Sequence, residues 1–497
     1  MSTEHVDVLI VGAGISGVGA AYRLRERCPD KTVAILDGRT AIGGTWDLFR
    51  FPGIRSDSDM FTLSYPFRPW RGSQLIVDGP SIRKYVEETA RENGIDHMIR
   101  FNRRVVRAAW SSNEAHWSVE IERADTGGSE QMTCGFLFAC TGYYRYDRGY
   151  TPDFPGFERF AGEVVHPQFW SDDVEYEGKQ VLVIGSGATA VTLVPALADG
   201  AAHVTMLQRS PSYVLSFPAK DPLVGLLGRV LPPRAAYSIV HWRNVKIQTA
   251  VWSLSRRRPA LMKRILRRLA QRQLPSGYDV DTHFSPRYNP WDERMCIAAD
   301  GDLFKAIASG RVSVVTDRID TFTESGVTLT SGRELEADLI ITATGLNLQP
   351  LGGIELTVDS RTVDLPETLA YRGAMISGVP NLAFAVGYIN QSWTLGADLT
   401  AQQVCRLLNH MAQYGYNRCT PVHRRPAVST VPFLELSSGY VQRGAHLFPR
   451  QEPGGPWYRP QNYFRDRRLV MQAPVAGPEL EFARTGSDAR TGNAIAA

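Results

Sequence analysis

Cysteine is scarce in this chain of 497 residues: six in all, with no CxxC pair and no metal-ligand spacing, which gives no basis for a zinc site or a disulfide framework. No metal site is expected. Also missing is any uninterrupted apolar run of about 18 residues, the length that would span a bilayer. No dominant charge is present, since 55 Lys+Arg against 51 Asp+Glu leaves only +4. That balance is too even to make nucleic acid the expected main partner. The start MSTEHVDVLIVGAG lacks the pattern of an export signal, passing from a polar segment straight into an apolar strand that ends in glycine. A cytoplasmic protein is the expectation. What is there is ordinary globular composition, 43% hydrophobic and 21% charged. At ~150 residues per domain the length implies two to four domains and excludes a single small binding module.

Val6 to Val11 is a short apolar run, followed by Gly12-Ala13-Gly14-Ile15-Ser16-Gly17 and the helical stretch GVGAAYRLRER. This order predicts strand, glycine turn, helix. Gly12 suits the tight turn, Gly14 lets the backbone approach a pyrophosphate, Gly17 permits close helix–strand packing, and the helix N-terminus supplies N–H groups. A further predicted strand, Thr32 to Leu36, ends at Asp37, 20 positions beyond Gly17, where a carboxylate can take a ribose hydroxyl. The alternative is a glycine-rich turn between packed elements. The pattern returns at Gln180 to Ile184, then Gly185-Ser186-Gly187-Ala188-Thr189-Ala190 and the stretch VTLVPALAD, with Ala190 in the third glycine's place. After the predicted strand His203 to Leu207, Arg209 and Ser210 stand where the first unit had its acid. A cation there can pair with the 2′-phosphate of NADP, unless it is only a surface arginine.

Two unlike nucleotide turns imply that electrons pass between two bound cofactors, most simply FAD in the first and NADPH in the second. Disulfide reductases share this plan but need a cysteine pair soon after the first acid, and none lies between Asp37 and Asp57. Phe136 to Gly142 and Asp338 to Gly345 read as buried strands ending in Thr-Gly, where the chain crosses between domains.

Three motifs carry a family resemblance. Phe160, Gly162, His166 and Trp170 fit FxGxxxHxxxW, departing only at Ser171, where Pro or Asp is usual. The stretch GGTWDLFRFPGIRSD, Gly43 to Asp57, fits [AG]GxWxxxx[FY]P[GM]xxxD throughout, and RYNPWDERMCIAADGDLF follows later. With these the chain resembles the class B flavoprotein monooxygenases, and within them the Baeyer–Villiger type, nearest the ethionamide-activating group. Related N- and S-oxygenases carry Tyr or Phe then Lys in place of Trp170-Ser171. The resemblance implies an FAD- and NADPH-dependent enzyme that uses dioxygen to oxygenate ketones and can also oxidise sulfides or thiocarbonyls. It implies Arg294 as the catalytic cation, supported by Asp57. It places FAD against Gly12, Gly14, Ser16, Gly17, Asp37, Gly44, Thr45, Trp46, Asp47, Leu48, Asp57 and Val105. NADP falls on Gly185, Ser186, Gly187, Ala188, Thr189, Ala190, Arg209 and Ser210. One departure is Glu293, where many members have Lys holding the 2′-phosphate. His166 is expected to play a structural or hinge role at the connection between domains, not to act as a base.

The expected fold class is α/β, with two Rossmann-like dinucleotide-binding domains and an inserted helical subdomain. FAD-domain segments are expected at 1–145 and 346–475, NADP-domain segments at 155–210 and 291–345, the helical insertion at 211–290, and a flexible tail at 476–497. A helix is expected from Leu395 to Met411, with Asn390 to Trp393 near the substrate. Within the insertion, Arg256 to Arg272 is rich in arginine, with Leu261, Ile265 and Leu269 at i, i+4. Either this helix lies on an anionic membrane or its apolar stripe is core and its basic face solvated. Two other functions stay open: a flavin-dependent N-hydroxylase, or a flavoprotein redox sensor without organic turnover.

Overall fold

The computed structural model describes residues 3–424 and 429–485. Its largest sheet is built on Glu4–Val11, which pairs in parallel with Val33–Leu36 on one side and Ser129–Ala139 on the other. Val8, Leu9 and Ile10 are fully buried, as a near-continuous apolar strand covered on both faces should be. Ile99–Arg100 extends one edge in parallel, while Arg103–Ser111 and His116–Arg123 continue the sheet as an antiparallel meander. The C-terminal half returns to this sheet through Leu382–Phe384, parallel to Ser129–Ala139, and Glu355–Val358, parallel to Arg103–Ser111. The helix Ile15–Arg27 packs against Trp393–Tyr414, so two helices remote in sequence cover one face of this sheet.

A second sheet is wholly parallel, in the order Val312–Thr316, His203–Gln208, Gln180–Ile184, Leu339–Thr342, Glu163–Val165. Its helix Ala188–Leu197 follows the second glycine turn directly. The fold is therefore α/β with two Rossmann-like units, each carrying one of the glycine turns.

Three helices, Pro222–Val230, Pro233–Arg257 and Pro259–Gln271, fill most of the stretch expected to be helical. That stretch departs from expectation at its start, where Val214–Phe217 is a strand pairing in parallel with Cys296–Ala299. The partner lies some eighty residues away, beyond the reach of local pattern. This pairing fixes the chain two residues after Arg294. The Pro233–Arg257 helix is clamped to the flavin side by buried polar groups. Asn244 Nδ2 and Gln248 Nε2 donate to the Asp59 carboxylate at 2.8 and 2.7 Å, and His241 Nδ1 donates to the Phe61 carbonyl at 2.7 Å.

At the C-terminus, Leu480–Ala483 is a strand antiparallel to Arg418–Pro421, within the segment expected to be a loose tail. Four residues are too short to show alternation above a small, polar background, yet Phe482 packs at a tilt against the rings of Tyr416 and His410. The tail from 486 onward lies outside the described residues. Among the described residues no helix is long and apolar enough to cross a membrane.

Candidate active site

Both glycine turns open into one cavity of about 1190 Å³ between the two sheets. Gly12 has φ +106°, and a Cβ there would lie 2.7 Å from the Cys140 carbonyl. At Gly17 a Cβ would meet the Gly12 oxygen at 1.8 Å, so only glycine fits and the helix closes directly onto the turn. The helices Ile15–Arg27 and Ala188–Leu197 both begin at a glycine N-cap with no side-chain cap bond. Their first N–H groups therefore face the cavity without partners from the cap residue, beside Gly14, Ile15 and Ser16 in one case and Gly187, Ala188 and Thr189 in the other. Two such helix ends suit the pyrophosphates of two dinucleotides. A Cβ at Gly187 would meet nothing within 4 Å, so space lies open there.

Gly12, Gly14, Ser16, Asp37, Gly44, Thr45, Trp46, Asp57, Val105, Gly185, Ser186, Gly187, Ala188, Thr189, Arg209, Ser210 and Arg294 all line this cavity. Asp37 accepts the Ala13 and Arg39 N–H groups at 2.6 and 2.8 Å, which leaves lone pairs for a ribose hydroxyl. The Gly43-Gly44 turn packs onto the first glycine turn through a bridge from Gly14 to Gly43. Ser186 Oγ donates to the Ser210 carbonyl at 3.0 Å and ties the second glycine turn to the Arg209 loop.

Four residues expected at the cofactors do not line the cavity. Gly17 and Ala190 lie behind their turns as packing positions, Ala190 fully buried. Asp47 is buried in a cluster of guanidinium groups, bonded to Arg39 Nε at 2.9 Å and paired with Arg83 at 3.1 Å. Its charge is taken up by these guanidinium groups. Leu48 packs against the core of the parallel sheet.

Arg294 sits at the centre, with Tyr143, Tyr144, Tyr440 and Asp57 around it. Burial works against its charge and the attraction of the Asp57 carboxylate works for it, and its pKa is raised. Burial pushes the Asp57 carboxyl up, while Arg294 and Arg55 pull it down. These two groups act on each other through the field and not through a direct hydrogen bond. Arg55 is itself anchored to Asp302 at 2.5 Å. Burial holds Tyr143 and Tyr440 far above the ordinary phenol range and Tyr144 at about 12, so all three stay neutral hydroxyls. The Arg294 loop is pinned by Asp292, which pairs with Arg256 at 2.7 Å and accepts the Asn289 N–H at 2.9 Å.

The tyrosines escape sequence reasoning because Tyr143 and Tyr144 follow a strand end and Tyr440 comes from a distant short helix, with no motif of their own. Asn390 to Trp393 proved partly informative: Gln391 and Trp393 line the cavity, and Trp393 Nε1 donates to Ser16 Oγ at 2.7 Å. His166 accepts the Gln168 N–H on Nδ1 at 3.2 Å and bonds the Gly345 carbonyl through Nε2 at 3.1 Å. Its ring also fills the space above Gly149. Both nitrogens are thus engaged with backbone at a crossing between the sheets.

Two uncapped glycine turns facing one cavity, with an acid after the first and an arginine after the second, define a two-nucleotide flavoprotein oxidoreductase. Comparison with known proteins gives the family. The flavin-binding monooxygenase-like pattern matches residues 74–351, and an NAD(P)-binding Rossmann-like pattern matches residues 10–88. The FAD-containing monooxygenase EthA of Mycobacterium tuberculosis is 54% identical over 97% of this chain and 98% of its own. The same-named protein of Mycolicibacterium smegmatis is 52% identical over 97% and 98%. Among solved structures, a steroid monooxygenase bound to NADP superposes with a TM-score of 0.78 at 21% identity, covering 97% of this chain and all of the other. A cyclohexanone monooxygenase gives 0.76 at 18% over the same shares. This chain belongs to the flavin-binding monooxygenase-like family. It is a class B flavin monooxygenase, with FAD and a nicotinamide dinucleotide as its cofactors.

Proposed function

We propose that this enzyme inserts one atom of dioxygen beside a ketone carbonyl, giving an ester or lactone at the expense of NADPH, and that it also oxidises sulfides or thiocarbonyls. The observation that carries the reading is Arg294, a half-buried cation lining the cavity shared by both glycine turns. FAD, when bound and reduced by the nicotinamide, supplies the activation of dioxygen. Gly12, Gly14, Ser16, Asp37 and the Gly43–Asp57 turn would hold it, and Gly185 to Thr189 with Arg209 would hold the nicotinamide dinucleotide. Arg294 stabilises negative charge developing on oxygen, at no reorganisation cost because its position is already set. Its planar fork can engage two oxygens at once. Asp57 orients that guanidinium, and the neutral tyrosines keep water out while offering hydroxyl groups. The names of the structural relatives, steroid and cyclohexanone monooxygenase, favour ketone substrates of apolar character.

NADPH as donor rests on Arg209 and on a second cation, Arg443. Arg443 stacks over the Tyr150 ring and lines the same cavity as Arg209, and burial, with the Arg209 charge, pushes its pKa down. Glu293 opposes them: burial pushes its carboxyl up and Arg209 pulls it down. On this reading Arg443, together with Arg209, supplies the positive charge that a lysine in place of Glu293 would give. Six free, buried thiols fit a reducing cytoplasm as the working compartment.

Mass spectrometry of products from linear, cyclic and aryl ketones and from sulfides, with NADPH supplied, tests the proposal. An ester or lactone from at least one ketone class supports it. A hydroxylamine from an amine with no ester would favour an N-hydroxylase, and flavin reduction without any organic product would favour a redox sensor.

A further inference from the structure

From Pro222 to Tyr278 the chain carries twelve lysines and arginines and no Asp or Glu. The whole chain is only +4, so everything outside these 57 residues is net −8. Charge is therefore segregated in space, onto the three helices that follow the second nucleotide turn. The same helices hold eight of the thirteen exposed large apolar side chains among the described residues. Single exposed leucines are ordinary, but such a concentration on one subdomain marks a surface built to meet something.

The pattern is sharpest on Pro259–Gln271. Met262, Leu266 and Ala270 are buried and fix the helix to the protein. Leu261, Ile265 and Leu269, one turn apart, form a row left 46%, 37% and 36% exposed. Arg264, Arg268 and Arg272 form a second row beside it. Arg267 and Arg256 are satisfied by Asp281 and Asp292, whereas those three have no carboxylate partner among the described residues. Pro222–Val230 and Pro233–Arg257, which pack in series against this helix, add exposed Leu226, Val230, Ile239, Ile247 and Leu254.

We infer that this face docks on an anionic lipid bilayer surface, the apolar row entering the acyl boundary and the arginines pairing with lipid phosphates. The inference goes beyond the oxygenation reading and does not depend on which substrate is oxidised. An apolar row bordered by unpaired cations suits an interface that is apolar below and anionic above, and long arginine stems can bridge the two. A nucleic acid would use the cations but leave the exposed leucines and isoleucines in water.

Flotation of the FAD-loaded enzyme with phosphatidylglycerol/phosphatidylcholine vesicles, against pure phosphatidylcholine, tests this. Binding is expected to the anionic vesicles at low salt, with at least tenfold weakening at high salt. Leu261→Ser/Ile265→Ser/Leu269→Ser is expected to weaken binding at least tenfold while NADPH-dependent flavin reduction is unchanged. Arg264→Glu/Arg268→Glu/Arg272→Glu, which keeps the apolar row, is expected to abolish it. Absence of binding to anionic vesicles at low salt would overturn the inference. So would equal binding by both variants, salt-sensitive capture by DNA without capture by vesicles, or a solution dimer that the serine variant dissociates.

Discussion

A guanidinium that keeps its charge while losing most of its water needs neighbours that offset the loss. Arg294 has the Asp57 carboxylate for this, with three neutral tyrosine hydroxyls beside it, and its pKa is raised despite burial. Arg294→Ala is therefore expected to retain FAD, seen as the flavin absorption of the purified protein, while ester formation falls at least about a hundredfold, the scale of roughly 3 kcal/mol of lost oxyanion stabilisation. Wild-type ester yield in that variant would remove the arginine from the mechanism. Asp57 supplies a second expectation, in pH. Burial raises its pKa, so as the pH falls it takes up its proton earlier than an ordinary carboxylate and ceases to support Arg294. The acid limb of kcat is expected above the usual carboxylate range. In Asp57→Asn that limb should vanish and the rate should be low at every pH. Neither residue's role was legible from residue type alone: Arg294 is one arginine among many until a motif singles it out. Asp47, inside the same motif, turned out to be spent on neighbouring arginines.

At the level of elements, the two strand–turn–helix units were legible because everything they need is local: an apolar strand, glycines at fixed spacing and a helix start. Gly17 shows how strict that requirement is. Gly17→Ala places a Cβ 1.8 Å from the Gly12 oxygen, which a short turn cannot relieve without lifting the helix from the strand. It is expected to destabilise the fold by at least about 3 kcal/mol, beyond common overpacking costs, and to yield colourless protein. Thermal unfolding and flavin content measure both effects. Elements defined by distant partners were not legible. Val214–Phe217 is a strand only because Cys296–Ala299 lies beside it, and Leu480–Ala483 only because Arg418–Pro421 does. The apolar stripe of Pro259–Gln271 was legible as a stripe, but which way it faced was not. The core contact is made by Met262, Leu266 and Ala270, one position further along.

Across the whole molecule, the site is assembled from segments hundreds of residues apart. Arg209 follows the second glycine turn, Glu293 precedes Arg294 and Arg443 comes from the C-terminal part, yet all three line one cavity. On the proposed reading, the balance among them sets the choice of nicotinamide. Arg443→Ala is expected to lower kcat/KM for NADPH about tenfold or more with little change for NADH, and Glu293→Lys to raise the preference for NADPH; steady-state kinetics with both donors measures the ratio. The family resemblance marked Glu293 as a departure, but not that a C-terminal arginine would line the same cavity, because no local pattern links the two. The most direct measurement of the central claim is the oxygen content of product formed from a ketone, NADPH and isotopically labelled dioxygen. One labelled oxygen atom in an ester or lactone is the result predicted. Unlabelled ester, or consumption of NADPH and dioxygen without an oxygenated ketone product for any ketone tried, would contradict it.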